Sequence, residues 1–150
     1  MAIKIMLDPG HAGDYFNQSP VVPDYYESRA MWKLCEKLKT ALINRGFEVG
    51  ITRYHKSDDP ELTTRGRRAI GCDLFLSLHS NAAASPVPDA PWLIHFKPDE
   101  KTDVDEKSED VARALGNVIS DLMGVSAPLY YTKGVDFDRD GNGHLDDEYY

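Results

Sequence analysis

Residues 3–11, IKIMLDPGH, constrain this chain more than any other stretch. Four of the five residues from Ile3 to Leu7 are apolar, which suits a strand buried on at least one face. Pro9 and Gly10 cannot continue a central strand, so the chain must turn out of the sheet there. His11 is thereby expected just past the carboxyl end of a strand, where open α/β sheets place their binding crevices. Residues 73–79, DLFLSLH, repeat the arrangement. Their alternation puts Leu74, Leu76 and Leu78 on one face and Phe75, Ser77 and His79 on the other. Two histidines at two strand ends need a reason to converge, and a metal ion supplies one.

A loop rich in Gly, Asn, Pro and Asp follows His11, and Glu27 then opens a helix. Ala30, Met31, Leu34, Cys35, Leu38, Ala41 and Leu42 recur at helical spacing and form its apolar stripe. Glu27 lies on that stripe, one turn before Met31. An acid in a first turn suits the helix dipole, but a carboxylate on the core side is costly unless it is paired or metal-bound. With histidines expected nearby, the ligand reading prevails.

Gly46 closes this helix, and residues 47–53 read as a strand. Asp58, Asp59 and Pro60 mark the start of a second helix, with Pro60 in its first turn and Leu62, Arg65, Ala69 and Ile70 along it, ending near Gly71. After the strand at 73–79, a small-residue loop at 80–91 begins at the site and is expected to form one lip of it. Residues 92–96 read as a strand. A charged stretch leads to a third helix bearing Val111, Ala112, Leu115, Val118, Ile119, Leu122 and Met123, closed by Gly124. Strands alternating with helices predict the α/β class: a single domain with a mostly parallel central sheet flanked by helices.

Composition narrows the partners. Seventeen basic against 25 acidic residues give a net charge of −8, which argues against nucleic acid. No apolar run approaches the ~18 residues that span a membrane. Cys35 and Cys72 fall in helix-like segments and read as buried free thiols rather than a disulfide. The chain enters its first strand without a signal-peptide pattern, so synthesis in the cytoplasm is expected. The tail, residues 135–150, is acidic. Asp136, Asp138 and Asp140 followed by Gly141 match the opening of a calcium-binding EF-hand loop, but the twelfth position is Asp147 rather than Glu and no amphipathic helix precedes it. The segment reads as an acidic turn, with calcium the weaker alternative.

His11, Glu27 and His79 together form a two-histidine, one-carboxylate set, a common catalytic zinc composition that leaves a fourth position for water. His55, His95 and His144 lack that placement and read as surface or core residues.

The blocks LDPGHAG, Glu27 heading its helix, and ELTTRGRRAIGCDLFLSLHSNAA, taken in order, resemble the zinc-dependent N-acetylmuramoyl-L-alanine amidases of the type 3 family. The resemblance runs from about Ile3 to Ala83 and continues more loosely through the third helix. It implies a mostly parallel α/β fold, zinc held by His11, Glu27 and His79, and cleavage of the amide joining N-acetylmuramic acid to L-alanine in bacterial peptidoglycan. It also implies a second glutamate for acid–base work, in a context this chain does not show after its third helix. That glutamate is expected beyond Tyr150, with Glu148, in DDEYY, as the fallback. Residues 1–150 are accordingly expected to be a catalytic domain without its last strand, impaired alone, from a longer parent with a wall-binding domain. A phage endolysin or a lysis or sporulation autolysin fits that expectation. The competing reading is a zinc-dependent module that binds muropeptides without cutting them.

Overall fold

The computed structural model describes residues 2–80, 93–96, 103–125 and 129–132. The chain divides into two compact units, Met1–Ala82 and Ala83–Tyr150. In the first unit the order is β1 (Lys4–Pro9), α1 (Glu27–Ile43), β2 (Glu48–Ile51), α2 (Leu62–Arg68) and β3 (Leu74–Leu78). The strands form one parallel sheet in the order β2-β1-β3. Leu7 pairs with Ile51 on one side and Leu76 on the other, and Pro9 pairs with Leu78. The first and third strands therefore end side by side, pointing the same way.

The core of this unit is Ile5, Leu7 and Cys35, ringed by Leu38, Leu42, Val49 and Leu76. Burial pushes the Cys35 thiol up to about 12, with the nearby Asp8 carboxylate adding to the effect, so this cysteine is a core side chain and a poor nucleophile. Cys72 is also free, but it sits in the turn that leads into β3 rather than in a helix. The inward side of α1 is narrower than its apolar spacing suggests. Glu27, Ser28, Met31 and Cys35 are buried, whereas Leu34 is exposed.

The second helix departs further from expectation. It begins at Leu62 with Glu61 as its N-cap residue, so Pro60 precedes the helix instead of occupying its first turn. Leu62 and Ile70 are exposed, and Arg65 is its buried residue. A helix this short packs through one inward position, and that position is taken by a charge.

In the second unit, β4 (Leu93–Phe96), α3 (Asp103–Met123) and β5 (Leu129–Thr132) make a βαβ unit in which the two strands pair in parallel. Ala112 is buried on α3, while Val118, Leu122 and Met123 are exposed. Gly124 ends the helix at φ 67°, the left-handed conformation that favours glycine there. Its strand β5 is an element the sequence pattern did not reveal, since four residues carry too little alternation to read. Among the described residues no helix is long and apolar enough to cross a membrane.

Candidate metal centre

The site assembles at the carboxyl ends of β1 and β3. Gly10 donates its backbone N–H to the Leu78 carbonyl at 2.8 Å, extending the ladder one step past the strands. A Cβ on Gly10 would lie 2.6 Å from His79 Nδ1 and 2.8 Å from the Leu78 oxygen, so only glycine lets the His79 ring lie over this turn. His11 follows at φ 57°, an uncommon conformation for a residue with a side chain.

Arg65 holds that turn. Its guanidinium donates to the Pro9 carbonyl at 2.9 Å, the His11 carbonyl at 2.6 Å and Asp8 Oδ1 at 2.8 Å, and its Nε donates to the Pro60 carbonyl at 3.1 Å. Asp8 also accepts from the Thr52 hydroxyl and, at 2.8 Å, from Ser77 Oγ. Asp8, Thr52 and Arg65 are all buried, and the charges are matched and hydrogen-bonded, which is the condition for leaving them in a core. Arg53, 1% exposed, does similar work for the loop. It donates to the Ser28 carbonyl at 3.1 Å, the Gly13 carbonyl at 2.8 Å and the Lys56 carbonyl, while its guanidinium lies 5.3 Å from the Trp32 ring.

Glu27 arrives from the first turn of α1. Tyr26 caps that helix without a side-chain bond, and carbonyls of the preceding loop serve instead. Glu27 N–H donates to Asn17 O at 3.0 Å and Ser28 N–H to Phe16 O at 3.4 Å. The loop is pinched just beyond Asn17. Gln18 bridges Tyr26 in antiparallel fashion, Ser19 N–H donates to Tyr25 O at 2.9 Å, and Ser19 Oγ accepts from the Val22 N–H at 3.0 Å.

The three predicted ligands come together. Glu27 Oε2 is 3.2 Å from His11 Nε2, and Glu27 Oε1 is 3.2 Å from His79 Nδ1. The imidazole rings stand edge to face with centroids 5.2 Å apart. One donor atom from each residue falls within 4.8 Å of the others. Tetrahedral zinc with ligand bonds of about 2.0–2.1 Å separates its ligand atoms by about 3.3 Å; the donor types suit zinc, and the two carboxylate–imidazole separations match that spacing. Burial alone would push the Glu27 carboxyl up. Contacts with His11 and His79, and a 2.6 Å bond from the Ser80 N–H, overcome this and hold it well below the usual carboxylate range. Asn17 Nδ2 adds a further donor, 2.6 Å from Glu27 Oε2.

Among the described residues of the first unit, His55 does not join them. His55 meets Ser57 Oγ at 3.2 Å, and His95 belongs to β4. His144, Glu148 and the aspartates Asp136, Asp138, Asp140 and Asp147 lie outside the described residues, as does most of the loop expected to form a lip. A hollow of about 650 Å³ in the first unit is lined by Trp32, Arg53, Tyr54 and Arg68 rather than by the ligand set. Volume alone supplies no chemistry, and the donor set does.

Comparison with known proteins bears on the family and the fold. The family model described as N-acetylmuramoyl-L-alanine amidase matches residues 5–137. No curated protein sequence matches the chain. Among solved structures, the chain is similar to the catalytic domain of CwlV, an N-acetylmuramoyl-L-alanine amidase from Bacillus (Paenibacillus) polymyxa. The TM-score is 0.72 at 18% identity, covering 87% of this chain and 70% of that one. It is also similar to an N-acetylmuramoyl-L-alanine amidase of Nostoc punctiforme, at TM-score 0.65 and 17% identity over 86% of this chain and 68% of that one. A third, from Clostridium difficile 630, gives TM-score 0.62 and 20% identity over 87% and 69%. These likenesses show the α/β fold, with parallel strands flanked by helices.

Proposed function

The chain belongs to the N-acetylmuramoyl-L-alanine amidase family, and on that premise we propose that it cleaves the amide between N-acetylmuramic acid and L-alanine of peptidoglycan with a zinc ion held by His11, Glu27 and His79. The observation that carries this reading is the convergence of three donor atoms, from residues 11, 27 and 79, within 4.8 Å of one another.

Zinc bound there would acidify water toward a pKa of ~7 and polarise the scissile carbonyl. The chain's own residues make that chemistry available. The two imidazoles would supply lone pairs, and the Glu27 carboxylate, held well below the usual carboxylate range, would supply the negative charge. The Ser80 N–H and the Asn17 amide fix the carboxylate through both oxygens, so a ligand arrives already oriented. Arg65 fixes the backbone of His11 by the bonds already described. Protonation of the leaving amine needs a general acid. Among the described residues the cluster holds no further Asp, Glu, His or Cys. Glu148 is the first residue of this chain to substitute, and an E148Q protein that keeps full rate removes it from the mechanism.

The test joins metal analysis to wall hydrolysis. Purified protein should carry one zinc per chain and release L-alanine amino termini from purified peptidoglycan. His79→Ala and Glu27→Ala should lose both metal and rate, and His95→Ala neither. Full zinc occupancy in the Glu27 variant would mean that the third ligand is misassigned. Zinc binding with tight wall binding and no release would make the chain a recognition module.

A further inference from the structure

The zinc reading above leaves the stem-peptide side of the substrate without a contact, and one cation is placed to supply it. Arg29 is the third residue of α1, two after Glu27. Its guanidinium lies 4.6 Å from the Tyr15 ring centroid and 5.5 Å from that of Tyr26, and the two rings meet edge to face at 5.2 Å. Both rings sit on anchored backbone. Tyr26 is the N-cap residue and bridges Gln18, and Tyr15 precedes Phe16, whose N–H donates to Ser28 Oγ at 3.1 Å. Stacking engages the faces of a guanidinium and leaves its N–H groups, which lie in its plane, free to donate. Here they lack an acceptor. Arg29 Nε is enclosed without a partner, and among the described residues this side chain forms no ion pair.

Local rules oppose a cation at this position. The first turn of a helix is its positive end. Lys33, one turn on, adds a like charge on the same face, and like-charged pairs at that spacing destabilise a helix. Asp14, beside Tyr15, pairs with Lys56 at 2.8 Å instead. A chain of net charge −8 has carboxylates to spare, yet among the described residues none stands within ion-pair distance of Arg29. Departures of this kind mark functional positions. A guanidinium held by two rings with its donors open is a receptor for a carboxylate.

Peptidoglycan carries its carboxylates on the stem peptide, one or more residues beyond the L-alanine amide, while its N-acetylated sugars are neutral. Glu27 and Arg29 leave α1 about 200° apart, so the guanidinium stands away from the metal ligands. An extended peptide covers about 3.5 Å per residue, and two or three residues of stem span the ~10 Å width of a helix. We propose that Arg29, held by Tyr15 and Tyr26, binds a stem-peptide carboxylate and gives the chain a preference for stems with free acids over amidated ones. The inference rests on the amidase reading and names the substrate class within it.

The probe is the free tripeptide L-alanyl-γ-D-glutamyl-L-lysine, compared with the same peptide amidated at both carboxyls. Neither contains the scissile bond, so binding is measured on the whole chain whether or not it cleaves. In NMR titrations the wild type should bind the free acid roughly 5–20-fold more tightly, the lower range for a charge-assisted hydrogen bond open to solvent. Arg29→Gln should bring that ratio close to one. Arg29→Lys should restore part of it, since a point charge lacks the planar fork. Zinc content and melting temperature report whether each variant keeps the site and the fold. On muramyl tripeptides the same preference should appear in KM rather than kcat. Equal binding of the two peptides by the wild type overturns the proposal, as does a ratio that survives in Arg29→Gln. A preference lost in Arg29→Gln, in a chain that hydrolyses no wall, overturns the amidase reading and leaves the carboxylate site standing. Wall hydrolysis with equal binding overturns this inference alone.

Discussion

His11 and His79 face one carboxylate from the ends of adjacent parallel strands, and the chain holds them by unlike means. His79 follows β3 directly and lies over a glycine, and the next residue's N–H bonds the shared carboxylate. Its support is ordinary sheet geometry. His11 comes two residues after β1 ends, at positive φ, one residue past the last ladder bond, from Gly10. Its support is imported from α2, as the Arg65 guanidinium bound to two carbonyls of the turn and to Asp8. A histidine that leaves the ladder needs a dedicated clamp, whereas one that stays on it needs only room.

Breaking the clamp should have the largest effect. Arg65→Met leaves Asp8 buried without its ion-pair partner, and loss of one member of a buried pair costs about 3–5 kcal/mol. Denaturant unfolding should show that loss, and zinc affinity should fall with it because the His11 turn is freed. A variant of wild-type stability would mean that Asp8 is satisfied by Thr52 and Ser77 alone.

Filling the room under His79 should have the next largest effect. A methyl at Gly10 meets both a ring nitrogen and a backbone carbonyl, so the overpacking cost should be about 1–3 kcal/mol. Gly10→Ala should weaken zinc binding through His79. An unchanged affinity, measured by chelator competition, would show that the ring can tilt away at no cost to the site.

The smallest effect tests the outer support of the clamped side. Asp58 accepts from the Tyr54 N–H at 2.9 Å and pairs with Arg68 at 3.1 Å, and these interactions hold its carboxyl below the ordinary range. A depressed folded-state value means stability that is present above the unfolded value, about 3.9, and is lost as pH falls below it. Asp58→Asn should therefore flatten the acid limb of the stability curve slightly. Its cost near neutrality should be under about 1 kcal/mol, since the pair is partly solvated. An equal acid sensitivity in the variant would remove Asp58 from the account.

The sequence was most legible where period and punctuation coincide. His11 and His79 follow apolar runs cut by turn residues, and Glu27 sits on an apolar stripe where a charge is out of place. Each signal is local. Asp8 and Arg65 were illegible because their meaning lies in a partner 57 positions away. A hint existed in Arg65, which shares its helical spacing with Leu62 and Ala69 yet carries a charge. Arg53 looked like the polar end of a strand, although its side chain is among the most buried of the described residues. The exposure of Leu34, Leu62 and Ile70 was hidden for the converse reason: helical period reports which residues share a stripe, not how wide a stripe the neighbouring sheet covers.

The pinched loop ahead of α1 bears on how such a chain can change over generations. Its stem, closed by the Gln18–Tyr26 bridge and the Ser19–Tyr25 bond, lies between the tip and the ligand set. Val21, at the tip, is 79% exposed. Each doubling of a flexible loop's length costs only about 0.6 kcal/mol of closure entropy. The tip is thus a replaceable cassette. Insertions or rewritten residues there leave Asn17 and Glu27 anchored below the stem, so a lineage can explore new outer contacts without renegotiating its chemistry.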